Sequence, residues 1–315
     1  MTAKIFIDGE AGTTGLQIRE RLAGRRELEL LSIAPERRKD AEARRELLNS
    51  AEVVVLCLPD AAAREAVGLI EDNAVRVIDA STAHRVAPGW VFGFAEMGQD
   101  QRGAIAAAAR VSNPGCYSTG AIALARPLVE AGVIPADWPL TVSGVSGYSG
   151  GGKSMIADFE EEASEAFTRT AYRTYGLDLH HKHVAEMQRW SRLDHRPLFA
   201  PAVGRYRQGM IVEVPLQLWA LPGRARVRDV HAVLANAYAG QRFVEVASLE
   251  EAGAIKTLDA EALNGTNRMK LYVFGDPDGD QVRLTALLDN LGKGASGAAV
   301  QNLNIMLGLD EGLGL

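Results

Sequence analysis

The sequence is short of several things, and each shortage narrows what the protein can be. Only two cysteines, Cys57 and Cys116, occur in 315 residues. Two are too few for a disulfide framework, and a reducing, cytoplasmic setting is the simplest home for them. There is no surplus of positive charge, the formal net charge being −6. A nucleic-acid footprint needs a basic face, so nucleic acid is not an expected partner. No apolar run reaches the roughly 18 residues of a membrane-spanning helix, so no membrane partner is expected either. The opening MTAKIFIDGEAG runs directly into a strand and a glycine turn. It lacks the basic and apolar stretches of an export signal. No solenoid-period repeat and no low-complexity segment breaks the chain. With 47% hydrophobic residues, what remains is a globular protein of one large or two medium domains.

The first third alternates strand and helix. Lys4–Asp8, Leu28–Ile33, the continuous apolar run AEVVVLCL and Val75–Asp79 read as strands, with a further one expected within Ala104–Val111. Continuous apolar runs at short spacing predict a parallel sheet buried on both faces. After about residue 116 the pattern changes. Leu140–Val145, Met210–Leu218, Arg268–Phe274 and Val282–Asp289 alternate, with helices and loops between them. The expected fold class is therefore α/β: a Rossmann-type dinucleotide-binding domain over 1–116, then an α+β catalytic and oligomerisation domain over 117–289. The second domain should hold a mixed, largely antiparallel sheet.

The run IFIDGEAGTTGLQIRERL reads strand, glycine turn, helix. Gly9, Gly12 and Gly15 are spaced G-x-x-G-x-x-G. Such glycines allow a tight turn, a close backbone approach and a helix N-terminus aimed at a phosphate. With Thr13 and Thr14 they are candidate cofactor contacts, as are Pro59 and Ser81 after later strands. The second strand ends at Ser32, with Arg37 and Arg38 just beyond. A hydroxyl and two guanidinium groups suit the 2′-phosphate of NADP, while Glu36 leaves NAD open. A second glycine-rich stretch, GYSGGGKS at Gly147–Ser154, fits the phosphate-loop pattern G-x-x-x-x-G-K-[ST]. It offers the alternative of an ATP- or GTP-binding protein. Magnesium would then need a later apolar strand ending in Asp, and the better such strands precede the loop.

The two cysteines differ in setting. Cys57 lies in VVVLCLPD and reads as a packed core residue. Cys116, in SNPGCYSTGAIALARPL, stands at the mouth of a helix. Amides at a helix start stabilise a thiolate, the nucleophilic form. A base is available in LHHKHVAEM, which holds His180, His181, His183 and Glu186. A zinc site would need further ligands that the sequence does not offer, so no metal is expected. Glu186 follows His183 by three positions, where it can support a charged imidazole.

SNPGCY, SGVSG, HKHVAE and DNLGKGASGAAVQNLN together resemble N-acetyl-gamma-glutamyl-phosphate reductases, relatives of aspartate-semialdehyde dehydrogenases, nearly end to end. The resemblance implies an NADP-dependent acyl-phosphate reductase of arginine biosynthesis that works through a thioester on Cys116, with His183 or His181 as acid/base. It implies that 290–315 completes the first domain. Ser146, Gly147 and Asn290 would lie at the cofactor, and Arg85, Asn113 and Lys293 at the substrate. A homodimer or homotetramer is the expected assembly. A carrier-linked aminoadipyl phosphate or an aspartyl phosphate is the alternative substrate.

Overall fold

The computed structural model describes residues 2–37 and 40–315. Arg38 lies outside the described residues. The chain divides into two compact units, one of 1–95, 99–114 and 295–315, the other of 96–98 and 115–294.

The first unit opens with β1 (Ala3–Asp8), α1 (Thr13–Leu22), β2 (Leu28–Leu31), α2 (Ala41–Ser50), β3 (Val53–Leu56) and α3 (Asp60–Gly68). It continues through β4 (Arg76–Asp79), β5 (Val91–Phe92), α4 (Gln101–Ala107) and β6 (Arg110–Ser112). The six strands form one sheet in the order β2-β1-β3-β4-β6-β5, every pair parallel. Successive side chains on a strand point to opposite faces, and here both faces are buried. Ile5, Ile7, Val53, Val55 and Ile78 pack with Ile18 and Leu22 of α1. Phe6, Val54, Leu56 and Val77 pack with Leu48 of α2 and Ala63 and Ala66 of α3. The expected strand within Ala104–Val111 divides in two. The alanine-rich half is helix, ending α4 at Ala107, and only Arg110–Ser112 pairs as β6. Alanine's high helix propensity and the β-branched Val111 account for the division.

The second unit holds α5 (Cys116–Glu130), β7 (Thr141–Gly147), α6 (Gly152–Glu160), β8 (Tyr172–Thr174), α7 (Val184–Trp190), β9 (Leu198–Gly204) and β10 (Met210–Gln217). It then adds α8 (Val227–Ala237), β11 (Val244–Val246), α9 (Leu249–Ala254), β12 (Met269–Phe274) and β13 (Gln281–Leu288). Its seven-stranded sheet runs β11-β12-β13-β10-β7-β9-β8. The β7–β9 and β11–β12 pairs are parallel and the other four antiparallel, so the sheet is mixed as expected. On β10, Met210, Val212, Val214 and Leu216 are buried, while Pro215 and Gln217 are exposed. The buried face meets α5, and the fit is close: a methyl group at Gly120 would stand 2.9 Å from Val212 Cβ.

The last helix, α10 (Gly297–Met306), belongs to the first unit. Its Ala299, Val300, Leu303 and Met306 join the core on the α1 face of the sheet. Arg76 ties α10 to α4. Its guanidinium donates to the Met306 carbonyl, to Ala106 O at 2.6 Å and to Ala108 O at 2.9 Å. One cation thus satisfies carbonyls that two helix ends leave open.

Candidate active site

In the first unit the glycine turn lies between β1 and α1. Gly9 has a φ of +90°, a conformation that costs glycine nothing. A methyl group there would strike the carbonyl oxygen of Cys57, and one on Gly15 would stand 2.5 Å from Gly9 O. The turn closes with Gly12 N donating to Gly9 O at 3.0 Å, and Thr13 and Thr14 open α1. The strand order reverses direction between β1 and β3, the place where doubly wound sheets bind ligands. A cavity of about 270 Å³ sits there. Gly9, Glu10 and Ala11 of the turn, Ile33 after β2, Arg44 of α2, and Leu58 and Ala62 at α3 line it. Bare backbone, apolar walls and a guanidinium fit the adenosine half of a dinucleotide. Arg44 also donates to Asp8 Oδ2 at 2.7 Å. Burial nevertheless holds the Asp8 carboxyl above its ordinary range.

The expected cofactor residues around this turn have definite partners. Ser32 directly follows β2, and its hydroxyl accepts a hydrogen bond from Arg19 at 2.8 Å. Arg37 is paired with Asp40, Nε to Oδ2 at 3.0 Å. Pro59 caps α3, its carbonyl accepting from Ala63 N at 2.9 Å. Ser81 is held by the buried Asp79, which also contacts His84 Nδ1 at 2.6 Å. Arg85 donates to the Asn113 carbonyl at 3.0 Å. The Asn113 side chain donates to Ala295 O at 2.9 Å and accepts from Asn302 at 3.1 Å. Arg85 and Asn113 were expected at the substrate. These bonds make them braces of the turn that leads toward Cys116.

In the second unit Cys116 is the first residue of α5, with Gly115 as its N-cap. The helix forms because a long alanine- and leucine-rich run follows the Asn113-Pro114-Gly115 turn. Helix amides and dipole favour an anion on the Cys116 sulfur. Glu186, 1% exposed, connects this helix start to the histidines. Its Oε2 accepts from Gly115 N at 3.1 Å, and its Oε1 lies 3.9 Å from His183 Nε2. His183 is the N-cap of α7, which places Glu186 in the first turn of that helix, on the same side. His181 stands edge-on to His183, 4.7 Å between ring centroids. Its Nδ1 accepts from the His183 backbone N–H at 3.2 Å, so a neutral His181 carries its proton on Nε2. Tyr117, Tyr175 and Phe199 surround His181 at 6.2, 5.5 and 5.0 Å. Burial raises both phenols, Tyr175 to about 12, so neither is a base near neutrality.

Gly294, within the DNLGKGASGAAVQNLN stretch, is a member of this site to which the sequence assigned no role. A methyl group on it would stand 2.7 Å from Cys116 Cβ, so only glycine allows this turn to pass the thiol. The turn is a single π-helical segment, Gly292–Ser296, a distortion frequent at functional sites. Lys293, expected at the substrate, is enclosed, 1% exposed. Its ammonium donates to both oxygens of Glu96 at 2.9 and 2.7 Å. That ion pair neutralises the only charge Lys293 could offer a phosphate.

The GYSGGGKS loop has the outline of a phosphate loop, with β7 before it and α6 after it. Three of its amides, however, are engaged within the protein. Gly147, Tyr148 and Ser149 N–H donate to the carbonyls of Gly209, Tyr206 and Arg207 at 2.9 to 3.0 Å. A phosphate cradle needs those donors for the ligand. Gly147 is glycine because a side chain would meet the Arg207 backbone at 2.6 Å. Ser146 turns its hydroxyl to Gly147 O at 3.0 Å. Asn290 spans the same loop, accepting from Gly209 N at 2.7 Å and donating to Ser149 Oγ at 3.0 Å. Ser146, Gly147 and Asn290 thus build one rigid loop.

The chain resembles known proteins throughout. Residues 4–105 match the NAD-binding domain of semialdehyde dehydrogenases, and residues 116–290 match their dimerisation domain. An N-acetyl-gamma-glutamyl-phosphate reductase of Brucella ovis is 57% identical over 98% of this chain and 100% of its own length. One of Brucella anthropi is 56% identical over 98% and 99%. Among solved structures, aspartate semialdehyde dehydrogenase II of Vibrio cholerae has a TM-score of 0.71 at 16% identity, covering 98% of this chain and 99% of that one. The aspartate semialdehyde dehydrogenase of Candida albicans, solved with NADP, has a TM-score of 0.64 at 14% identity over 97% and 99%. These two agree with the fold described above. The chain belongs to the N-acetyl-gamma-glutamyl-phosphate reductase family, built on the domains of the semialdehyde dehydrogenases.

Proposed function

We propose that this protein reduces N-acetyl-L-glutamyl 5-phosphate to N-acetyl-L-glutamate 5-semialdehyde and phosphate with NADPH, a step of arginine biosynthesis. The observation that carries the residue roles is Glu186, which joins the Cys116 helix start to His183. The Cys116 thiolate attacks the acyl carbon and inorganic phosphate leaves, so that a thioester joins the substrate to Sγ. Bound NADPH supplies the hydride that the acyl group needs to become an aldehyde. The Cys116 backbone N–H, in the first turn of α5, holds an oxygen that gains negative charge. His183 provides the proton at that oxygen and takes it back as the carbon–sulfur bond breaks, which releases the aldehyde and returns the Cys116 thiolate. Glu186 stabilises the imidazolium. His181 donates from Nε2 and orients the substrate rather than exchanging its proton. Asn113, Arg85 and Asn302 keep the turn before Cys116 in place, and the Lys293–Glu96 pair anchors the turn that carries Gly294.

A homo-oligomer in the cytoplasm fits this reading. The dimerisation-domain match supports it, as does the sheet face of the second unit that exposes Pro215, Gln217, Leu198 and Ala200. The test is reverse, phosphate-dependent oxidation with NADP⁺. The purified protein is offered N-acetylglutamate semialdehyde, aspartate semialdehyde and carrier-linked aminoadipate semialdehyde. Turnover of the first with little of the others is expected, and turnover confined to either of the others would overturn the substrate assignment.

A further inference from the structure

At the rim of the first unit's cavity, one anion already occupies a cationic site. Arg19, on α1, points its guanidinium at two oxygens. One is the Ser32 hydroxyl, at 2.8 Å, and the other is Glu10 Oε2, with which it forms an ion pair. The Ser32 hydroxyl itself donates to Glu10 Oε2 at 3.5 Å. A carboxylate is thus held by one guanidinium and one hydroxyl, immediately after β2. That is where dinucleotide folds read the 2′ position of the adenosine ribose: acidic groups there accept its hydroxyls, and basic groups accept a 2′-phosphate. This chain places both kinds of group together. The hydroxyl and the guanidinium come from β2 and α1, whereas the carboxylate reaches in from the glycine turn on a side chain that lines the cavity. Arg37, the guanidinium nearer in sequence, is engaged by Asp40.

We propose that Arg19 and Ser32 form the receptor for the 2′-phosphate of NADP(H), and that Glu10 is a built-in substitute anion which leaves Arg19 when that phosphate arrives. The proposal rests on the reading of the protein as NADP-dependent. A phosphate monoester brings nearly two charges and three acceptor oxygens, against one charge for a carboxylate, and so displaces it from a guanidinium. Without a 2′-phosphate, Glu10 stays on Arg19, and an NAD-type ligand gains nothing from the guanidinium. Glu10 therefore lowers the absolute affinity for NADP(H), while keeping a bare cation from attracting other anions into the cavity.

The experiment is calorimetric titration of the whole protein, without substrate, using adenosine 2′,5′-bisphosphate and adenosine 5′-monophosphate as probes. The wild type is expected to prefer the bisphosphate. Arg19→Gln should weaken the bisphosphate about tenfold or more, as fits loss of a charge-assisted bond, and leave the monophosphate within about twofold. Glu10→Gln should tighten the bisphosphate several-fold and leave the monophosphate unchanged. Arg19→Lys keeps the charge and should retain part of the preference, which separates the role from a folding defect. Equal loss of both probes in Arg19→Gln overturns the proposal while leaving the cofactor reading intact. So does weaker monophosphate binding in Glu10→Gln, which would make Glu10 a ribose ligand. A wild type that binds neither the bisphosphate nor NADPH overturns the cofactor reading together with the proposal.

Discussion

Cys57 and Cys116 each come shortly after a parallel strand in the chain, yet their surroundings give them opposite chemistry. Cys57 directly follows β3 and packs against the core cluster on the α1 face of the first sheet. Burial of its thiol, reinforced by the carboxylates of Asp79 and Asp8, pushes its pKa up from 9.0 to about 12. Cys116 stands instead at the mouth of a 15-residue helix, with Glu186 held on the amide beside it. The residue type is the same, and what differs is desolvation of the Cys57 thiol and the helix-start amides at Cys116. A thiol that burial holds neutral packs, whereas the amides of a helix start favour an anion.

Four changes test that contrast. Cys116→Ser should remove the reduction, lowering turnover by about 10³-fold or more, while Cys57→Ser stays near wild type in the same assay. Equal losses would remove the distinction. Glu186→Gln should lower kcat by roughly 10²-fold, the lower end of a lost contribution to proton transfer, with alkylation of Cys116 still observed by mass measurement. Gly294→Ala should slow both that alkylation and turnover, by about tenfold, because its methyl would crowd Cys116 Cβ at 2.7 Å. The smallest effect concerns Cys57 and pH. Its folded pKa lies above its ordinary value, so the folded chain holds that proton more tightly. The resulting stability is complete below about pH 9 and is lost as pH rises toward about 12. Thermal melts should show a shallower alkaline decline in Cys57→Ser than in wild type, and parallel declines would contradict the assignment.

Much of this can be read from short stretches of sequence, because local rules act over short distances. The glycine turn, the helix beginning at Cys116 and the three-residue spacing of His183 and Glu186 are all of that kind. So are the buried strands, whose apolar runs are continuous. What was not legible depends on residues far apart in the chain. Glu96 and Lys293 are 197 positions apart, and neither carries a mark of the other. Gly294 reads as one glycine among several until Cys116 is seen against it. Arg19 reads as an ordinary helix arginine, since its meeting with Ser32 depends on how α1 lies beside β2. The GYSGGGKS stretch misleads for a related reason. A pattern records residue types, but whether a loop can hold phosphate depends on how many of its amides are free, and here the 206–209 segment has taken the first three.

The position of α10 also has a consequence in time. The first unit draws its early strands and its last helix from parts of the chain separated by about 180 residues. During synthesis, the face formed by Ile5, Ile7, Val53, Val55 and Ile78 must wait for Ala299, Val300 and Leu303. At ribosomal rates of about 5–20 residues per second, that interval is on the order of 10–40 s. The second unit, contiguous apart from residues 96–98, has no such wait. The nascent chain therefore carries an apolar sheet face that α1 and α4 cover only in part until the final helix emerges.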